Sequence, residues 1–124
     1  MASAASGARI LVVDDDPQIT TLLEIFLTQL GHEVQCASYG GQALEVVPTF
    51  EPQVVLLDLH MPGMSGLEVL IRLHEQRPGL PVILITGDEQ LARRTMQKSM
   101  AGLLIKPFSL SQVSQAVAAA LSPG

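Results

Sequence analysis

Val54-Val55-Leu56-Leu57-Asp58-Leu59-His60-Met61-Pro62-Gly63 is the stretch of sequence that decides the fold. Its four leading apolar residues are typical of a strand buried on both faces, and the Pro-Gly pair ends that strand. Ser65 and Glu68 follow with the Ser-x-x-Glu spacing of a capping box, which begins a helix. We therefore expect Asp58 at the carboxyl end of a buried strand, where open α/β sheets bind their ligands.

The chain on either side of this stretch alternates between strand and helix patterns. Continuous apolar runs predict buried strands at 10–13, 53–57, 82–85 and 101–105, and a weaker alternating run predicts an edge strand at 33–37. Five helices are predicted: from Pro17 to the stop at Gly31, over 41–47 with an end at Pro48, from the Ser65 cap onward, over 88–98, and from a Ser109/Gln112 capping box to Leu121. The third of these helices is predicted to place Leu67, Leu70, Ile71 and His74 on its inward face. Five such alternations predict a five-stranded, doubly wound parallel sheet of order 2-1-3-4-5 with helices on two faces.

The composition is that of one globular domain with an apolar core. Of 124 residues, 48% are hydrophobic and 15% are charged, and the net charge is −5. Such an acidic domain lacks the basic surface that direct nucleic-acid binding requires. The single cysteine, Cys36, favours a cytoplasmic location, and no apolar run is long enough for a signal peptide or a membrane span. We interpret residues 1–8 as a flexible leader, 9–122 as the domain, and 123–124 as a tail or the start of a linker.

Four of the predicted strands end in residues that can do chemistry, and parallel strands bring these ends to one edge. The residues are Asp14, Asp15 and Asp16 after the first strand, Asp58, Thr86 and Lys106. Two carboxylates 4 Å apart repel by roughly 4 kcal/mol at an effective dielectric constant near 20. Either one of the carboxylates of Asp14, Asp15 and Asp58 is protonated, or a divalent cation lies among them. Oxygen ligands favour Mg²⁺ or Mn²⁺, and the added ammonium and hydroxyl suit a phosphoryl group.

The motifs that carry these residues closely resemble those of the receiver domain of two-component response regulators. The similarity runs from about Arg9 to Leu121 and rests on four blocks in order: residues 11–17, residues 55–58 with 61–66, residues 85–87 and residues 106–108. The resemblance implies a flavodoxin/CheY-like fold and a role in phosphorelay signalling. It implies a partner, either a sensor histidine kinase or a phosphotransfer protein, and no turnover activity beyond the domain's own phosphoryl transfer and slow autodephosphorylation.

The resemblance also assigns roles to individual residues. Asp58 is the phosphoacceptor, and Asp14 and Asp15 hold Mg²⁺ together with Asp58 and the backbone carbonyl of His60. Thr86 moves to donate a hydrogen bond to the phosphoryl group, and Lys106 forms an ion pair with it. The Lys106–Pro107 peptide bond is usually cis in this family. The side chains of His60 and Asp88 lie where they can tune dephosphorylation.

Three departures from the family pattern fall on the fourth helix and fifth strand, so we expect an unusual output. Leu103 replaces the usual Tyr or Phe three residues before the lysine, and the segment between Thr86 and Lys106 is about two residues short. Ser99-Met100 stands where many members have Gly-Ala. Relatives commonly dimerise through the fourth and fifth helices, and we expect any homodimer here in the region of the fourth helix and fifth strand. Because the last helix carries no charge, we expect no salt-bridged version of that dimer.

Other interpretations remain beside this one. A Mg²⁺-dependent phosphatase with a carboxylate nucleophile uses a D-x-D-x-T/V motif, but Asp14-Asp15-Asp16-Pro17 lacks the final Thr or Val. A dinucleotide or flavin binder would need a glycine-rich loop after the first strand, and none follows it here.

Asp16 is interpreted as a helix N-cap rather than a metal ligand. Arg93, Arg94 and Lys98 form either a solvated helix face or a docking patch.

Overall fold

Strands and helices alternate along the described part of the chain. The computed structural model describes residues 7–95 and 100–122. The strands are β1 (Arg9–Val13), β2 (Glu33–Ala37), β3 (Val54–Asp58), β4 (Val82–Thr86) and β5 (Met100–Ile105). The helices are α1 (Pro17–Gln29), α2 (Gly40–Phe50), α3 (Gly66–Gln76), α4 (Glu89–Thr95) and α5 (Leu110–Leu121). No helix within these ranges has the length and apolar character needed to cross a membrane.

The strands form one parallel sheet in the order β2-β1-β3-β4-β5, which confirms the predicted fold class. β1 lies between β2 and β3, so the chain order reverses between β1 and β3. This reversal opens a crevice at the carboxyl ends of the two strands. The fold therefore presents the end of β1 and the end of β3 side by side.

The core has two layers because every buried strand contributes alternate residues to opposite faces. On one face, α2 and α3 pack against Leu11, Val55, Leu57 and Leu84 through their buried side chains: Ala43, Val47, Phe50, Val69, Leu70 and Leu73. On the other face, α1 and α5 cover Ile10, Val12, Leu56 and Ile83 with Leu23, Leu27, Val113 and Val117. β3 and β4 are buried along their whole length, so the position of Asp58 is set by a rigid central strand.

Helix ends follow the predicted capping chemistry with one exception. The side chain of Asp16 accepts the N–H of Gln18 at 2.9 Å and caps α1. At α5, Ser109 and Gln112 form the reciprocal capping box. At α3, Ser65 accepts the N–H of Glu68 at 3.2 Å. The carboxylate of Glu68 pairs with Arg72 on the next turn, so only the Ser65 half of the predicted box is present.

The predicted end of α2 at Pro48 is wrong, because the helix continues to Phe50. Proline removes one helical hydrogen bond, but its fixed φ is compatible with the last turn of a helix. Phe50 is buried in the core, and the N–H of Glu51 donates to the carbonyl of Val47 at 2.9 Å. Burial of one large side chain therefore outweighs the lost bond near the helix end.

The predicted inward face of α3 is also wrong, although Leu70 is buried as predicted. Leu67 and Ile71 are exposed, His74 is half-buried, and the fully buried stripe consists of Gly66, Val69, Leu70 and Leu73. The apolar residues of this helix cover about half of its circumference, which is wider than the buried stripe, so the sequence pattern alone does not fix which of them are buried. The neighbouring helix does: a Cβ on Gly40 would lie 2.5 Å from a methyl group of Val69. This close approach of α2 turns Val69 towards the core.

Some predictions fall outside the described residues. They concern most of the leader, Lys98, Ser99 and the tail at 123–124. Leu103 lies in β5, is half-buried and packs against the core layer that contains Leu84.

Candidate functional site

Backbone hydrogen bonds and strand ends place each candidate residue at the carboxyl edge of the sheet. The N–H of Asp14 donates to the carbonyl of Ala37 at 3.1 Å, which extends β1 by one residue. Asp58 ends β3, and Thr86 ends β4. The N–H of Lys106 donates to the carbonyl of Thr86 at 2.8 Å, which extends β5 in turn. The candidate residues therefore lie at the edge that the parallel topology predicts, and the hydrogen bonds of the sheet hold them there.

The three predicted carboxylates and the lysine do converge. Asp14, Asp15 and Asp58 each place one carboxylate oxygen within 4.8 Å of the others. The Nζ atom of Lys106 lies 3.4 Å from Oδ2 of Asp14 and 3.6 Å from Oδ2 of Asp58. Asp14 and Asp58 are 0% and 2% exposed, whereas Asp15 is exposed and the Lys106 side chain is 30% exposed. The site is therefore a half-open acidic crevice with one cation beside it.

Two backbone N–H groups orient the buried carboxylates. Asp16 donates to Oδ1 of Asp14 at 2.9 Å, and His60 donates to Oδ1 of Asp58 at 3.1 Å. The Oδ2 atom of Asp14 is buried and accepts no hydrogen bond from any residue in the described ranges. A buried anionic oxygen without a hydrogen bond is costly, and the Lys106 ammonium 3.4 Å away is shared with Asp58. This orphan oxygen, beside two further carboxylates, fits a hard divalent cation such as Mg²⁺ or Mn²⁺.

Burial raises the proton affinity of Asp14. Burial raises the pKa of Asp14 from its ordinary value of 3.8 to about 6, and the negative charge of Asp58 adds to the rise. The N–H of Asp16 and the ammonium of Lys106 lower the pKa, but they do not offset the burial. With a pKa of about 6, Asp14 is mostly ionised at neutral pH, but its buried charge lowers the stability of the folded state.

We expect Asp14→Asn to stabilise the metal-free protein at pH 7.5. Because the pKa of Asp14 is higher in the folded state than in the unfolded chain, stability is lost as pH rises from about 4 towards 6 and stays lost above 6. Asparagine removes that cost, so the free energy of unfolding should rise by about 2 kcal/mol at pH 7.5 and much less at pH 4.5.

Urea unfolding in EDTA at both pH values measures this difference. Glu75→Gln on the exposed side of α3 makes the same change of net charge and serves as the control. Adding Mg²⁺ should stabilise the unmodified protein and leave Asp14→Asn nearly unchanged. A variant no more stable than the Glu75→Gln control at pH 7.5 would contradict the electrostatic account of this crevice.

Thr86 and the segment that follows it complete the edge. The Thr86 side chain is fully buried, and its Oγ1 accepts the N–H of Asp88 at 3.0 Å. The side chain of Asp88 accepts the N–H of Leu91 at 3.0 Å. On the other side of the site, the Lys106–Pro107 peptide bond is cis, as the resemblance led us to expect.

The remaining candidates are distributed as follows. Asp16 is the N-cap of α1, as predicted. His60 is exposed beside Asp58, and its part as a backbone-carbonyl metal ligand stays a prediction. Arg93 forms an ion pair with Glu89 one turn away on α4, and both side chains are exposed.

Two features of the site were missed in the sequence. Asp88 caps α4, a role that an aspartate directly before a helix could have indicated. Gly66 touches the end of β3 so closely that a Cβ would lie 2.5 Å from the Cα of Leu59 and 2.7 Å from the carbonyl oxygen of Asp58. No sequence pattern short of the fold itself indicates that contact.

The comparisons with known proteins agree on one family. The family model described as "Response regulator receiver domain" matches residues 10–118. The transcriptional regulatory protein TcrA of Mycobacterium tuberculosis is 39% identical over 115 residues, which cover 87% of this chain and 44% of that protein. The positive alginate biosynthesis regulatory protein of Pseudomonas aeruginosa is 36% identical, with coverage of 92% and 47%. The chain thus spans about half the length of these curated relatives.

Solved structures agree with the sequence relatives. The receiver domain of NtrX from Brucella abortus superposes with a TM-score of 0.87 at 30% identity, covering 93% of this chain and 99% of that one. A CheY-like receiver domain protein from Methanospirillum hungatei gives a TM-score of 0.83 at 27% identity, with 94% of both chains covered. The structural similarity therefore covers more than nine-tenths of this chain.

Proposed function

The chain belongs to the receiver domain family of two-component response regulators, and on that premise we propose that it is a switch phosphorylated on Asp58. The donor is a phosphohistidine of a sensor histidine kinase or a phosphotransfer protein. The observation that carries the proposal is the convergence of Asp14, Asp58 and Lys106, with the lysine Nζ within 3.4 and 3.6 Å of the two buried carboxylates.

The proposed reaction is an in-line transfer of one phosphoryl group. An oxygen of Asp58 attacks phosphorus, the new P–O bond forms, and the P–N bond to the donor imidazole breaks. The imidazole leaves with the electron pair of that bond and takes up a proton. The His60 N–H holds Oδ1 of Asp58, so the attacking atom is Oδ2, which lies 3.6 Å from the Lys106 ammonium. Lys106 neutralises charge on the transferred oxygens, and the Thr86 hydroxyl donates a hydrogen bond to one of them.

Asp14, Asp15 and Asp58 would hold Mg²⁺, with the backbone carbonyl of His60 as a further ligand. The orphan Oδ2 of Asp14 and the three clustered carboxylates support this assignment. When bound, the cation neutralises the charge that develops on the phosphoryl oxygens. Since Lys106 already contacts both buried carboxylates, it can follow the phosphoryl group without losing its place beside Asp14.

Intact-mass spectrometry after incubation with acetyl phosphate tests the proposal. We expect the mass of one added phosphoryl group in Mg²⁺, and no addition in EDTA. Borohydride reduction followed by peptide mapping should place the modification on Asp58. An unchanged mass in Mg²⁺ would refute the proposal, and steady turnover of a generic phosphomonoester would instead indicate the alternative phosphatase. We propose that the chain does not turn over such substrates.

An apolar hollow beside Lys106 supports a protein as the phosphodonor. It has a volume of about 350 Å³ and is lined by Ile19, Leu22, Lys106, Pro107 and Phe108. Leu22 on α1 is 44% exposed although it is a large apolar residue. Exposed apolar surface next to a reactive group is typical of protein docking sites. We propose that the helix bearing the phosphohistidine packs against this hollow.

We expect Leu22→Glu to slow phosphorylation by a protein donor and to leave phosphorylation by acetyl phosphate unchanged. A charge placed in an apolar contact typically costs a factor of about ten or more in association. Phosphotransfer from the autophosphorylated sensor kinase that reacts fastest with the unmodified chain measures the effect. Ile71→Glu on α3, where Ile71 is 52% exposed, is the matched control. Equal slowing by both substitutions, or by neither, would contradict the location of the docking surface.

Two further elements of the proposal concern assembly and location. We propose a homodimer through α4 and β5, to be tested by sedimentation with and without beryllofluoride, and a cytoplasmic location. β5 carries no charged residue, and Arg93 of α4 is paired with Glu89 of the same helix, which supports association without intermolecular salt bridges. We propose no direct contact of this domain with nucleic acid, since its net charge is −5.

A further inference from the structure

The segment before β1 lies against the turn that joins α1 to β2. Gly7 passes so close to this turn that a Cβ on it would overlap the carbonyl oxygen of Gly31. Gly31 itself has a positive φ of 99°, which ends α1 and turns the chain towards β2. The carbonyl of Ala8 accepts the N–H of Glu33 at 2.9 Å, and Ala8 is buried. Residues 7 and 8 are thus docked onto the start of β2.

An imidazole makes the second hydrogen bond to Ala8. The N–H of Ala8 donates to Nδ1 of His32 at 3.1 Å. A backbone N–H can only donate, so this bond requires a lone pair on Nδ1, and the proton of the neutral imidazole lies on Nε2. The backbone of His32 is held as well, because its N–H donates to the carbonyl of Leu27 at 3.1 Å. The geometry therefore accepts one protonation state of His32 and excludes the other.

Protonation of His32 would turn this bond into a contact between two donors. With hydrogens on both ring nitrogens, the Nδ1–H group would point at the N–H of Ala8. Ala8 is only 6% exposed, so its N–H would be left without an acceptor in a place that little water reaches. Burial lowers the pKa of His32 below its ordinary value of 6.5, which is the direction in which the lost bond also acts.

The charged residues that adjoin His32 do not offset this preference. They are Glu33, next in the chain, and Arg9, the register partner of Glu33 on β1. Glu33 is exposed to solvent, and the side chain of Arg9 donates to the carbonyl of Glu51 at 2.8 Å. No residue from 26 to 31 at the end of α1 is charged. Among the described residues, no ion pair joins His32 to a carboxylate.

We propose that His32 is an acid-sensitive latch: its neutral imidazole holds residues 7 and 8 on the start of β2, and its protonation releases them. The latch lies at the edge of the sheet where β1 and β2 begin, whereas Asp14 and Asp58 lie at the edge where their strands end. Acid therefore changes how the chain enters the sheet, at the edge opposite to the carboxylates. The latch does not depend on phosphorylation of Asp58.

The first test follows the Ala8 amide proton and the His32 ring protons by NMR from pH 7.5 downward. We expect both signals to titrate with one midpoint below pH 6.5, and the protection of the Ala8 amide against hydrogen exchange to fall about tenfold across it. His32→Asn is the matched control, because its side-chain oxygen can accept the same N–H and does not titrate. An Ala8 amide that ignores the titration of His32, or that titrates alike in His32→Asn, would overturn the proposal. So would an imidazole that stays neutral until the protein unfolds.

The second test measures urea unfolding at pH 7.5 and at one pH unit below that midpoint. Because the pKa of His32 is lower in the folded state than in the unfolded chain, the contribution of the bond to stability is complete above pH 6.5. It is lost as the pH falls through the folded-state pKa. We expect His32→Ala to lower the folding equilibrium constant about tenfold more at pH 7.5 than in acid. Asp14 titrates in the same range in both proteins, so its effect cancels. An equal loss at both pH values would overturn the latch.

Discussion

Asp58→Asn should abolish phosphoryl uptake while the protein remains folded. Asparagine keeps the shape of aspartate and an oxygen that accepts the His60 N–H, a bond that measures 3.1 Å. It lacks the anionic oxygen that attacks phosphorus, so we expect the rate to fall roughly 10³-fold or more. Removing one of two buried carboxylates also relieves their repulsion, so the melting temperature should not fall.

The rate is measured as the fraction of phosphorylated protein by intact mass, after incubation with acetyl phosphate and Mg²⁺. Asp16→Asn is the matched control, because Asp16 adjoins the site but serves as the N-cap of α1. Asparagine caps a helix as well as aspartate, so uptake by this control should stay within about twofold of the unmodified rate. Uptake by Asp58→Asn at the unmodified rate would show that another residue is the acceptor.

Gly66→Ala should destabilise the protein by at least about 3 kcal/mol, because the added methyl group meets backbone that cannot move aside. The Cβ would lie 2.5 Å from the Cα of Leu59 and 2.7 Å from the carbonyl oxygen of Asp58. Gly66 also donates its N–H to the carbonyl of Leu59 at 3.3 Å. The start of α3 thus rests directly on the strand end that carries Asp58.

Urea unfolding compares this variant with Gly79→Ala. Gly79 lies in the turn before β4, and a Cβ there would meet nothing within 4 Å. The control should therefore stay within about 0.5 kcal/mol of the unmodified protein. We also expect phosphoryl uptake by Gly66→Ala to be slower, since the strand end must shift to admit the methyl group. If both variants are equally stable, the contact between α3 and β3 is looser than the distances indicate.

The fold was predictable because its strongest signal is local and repeated. Four-residue apolar runs such as Val82 to Ile85 need no knowledge of their neighbours to be identified as buried strands, and their parallel order follows from the helices between them. Features that depend on neighbours were less predictable. Pro48 is tolerated because Phe50 is buried, and the inward face of α3 is selected by Gly40 of α2.

The same division applies to the candidate site. The residues that meet there could be predicted, since parallel strands bring Asp14, Asp58 and Lys106 to one edge. The burial of these carboxylates and its effect on their charge could not. The orphan Oδ2 of Asp14 and the raised pKa of that carboxyl arise from how deeply the fold buries it. The cap formed by Asp88 depends on where α4 begins, which the sequence indicated only to within a residue.

The uncharged character of β5 and α5 has a consequence for how this domain would respond to its surroundings. Met100–Ile105 and Leu110–Leu121 contain no acidic or basic side chain, and β5 is an edge strand with one side unpaired. Ionic strength weakens contacts between exposed charges and leaves apolar and backbone contacts almost unaffected. Association through the edge of β5 should therefore persist in high salt, and it should be weakened by denaturants that solvate peptide groups.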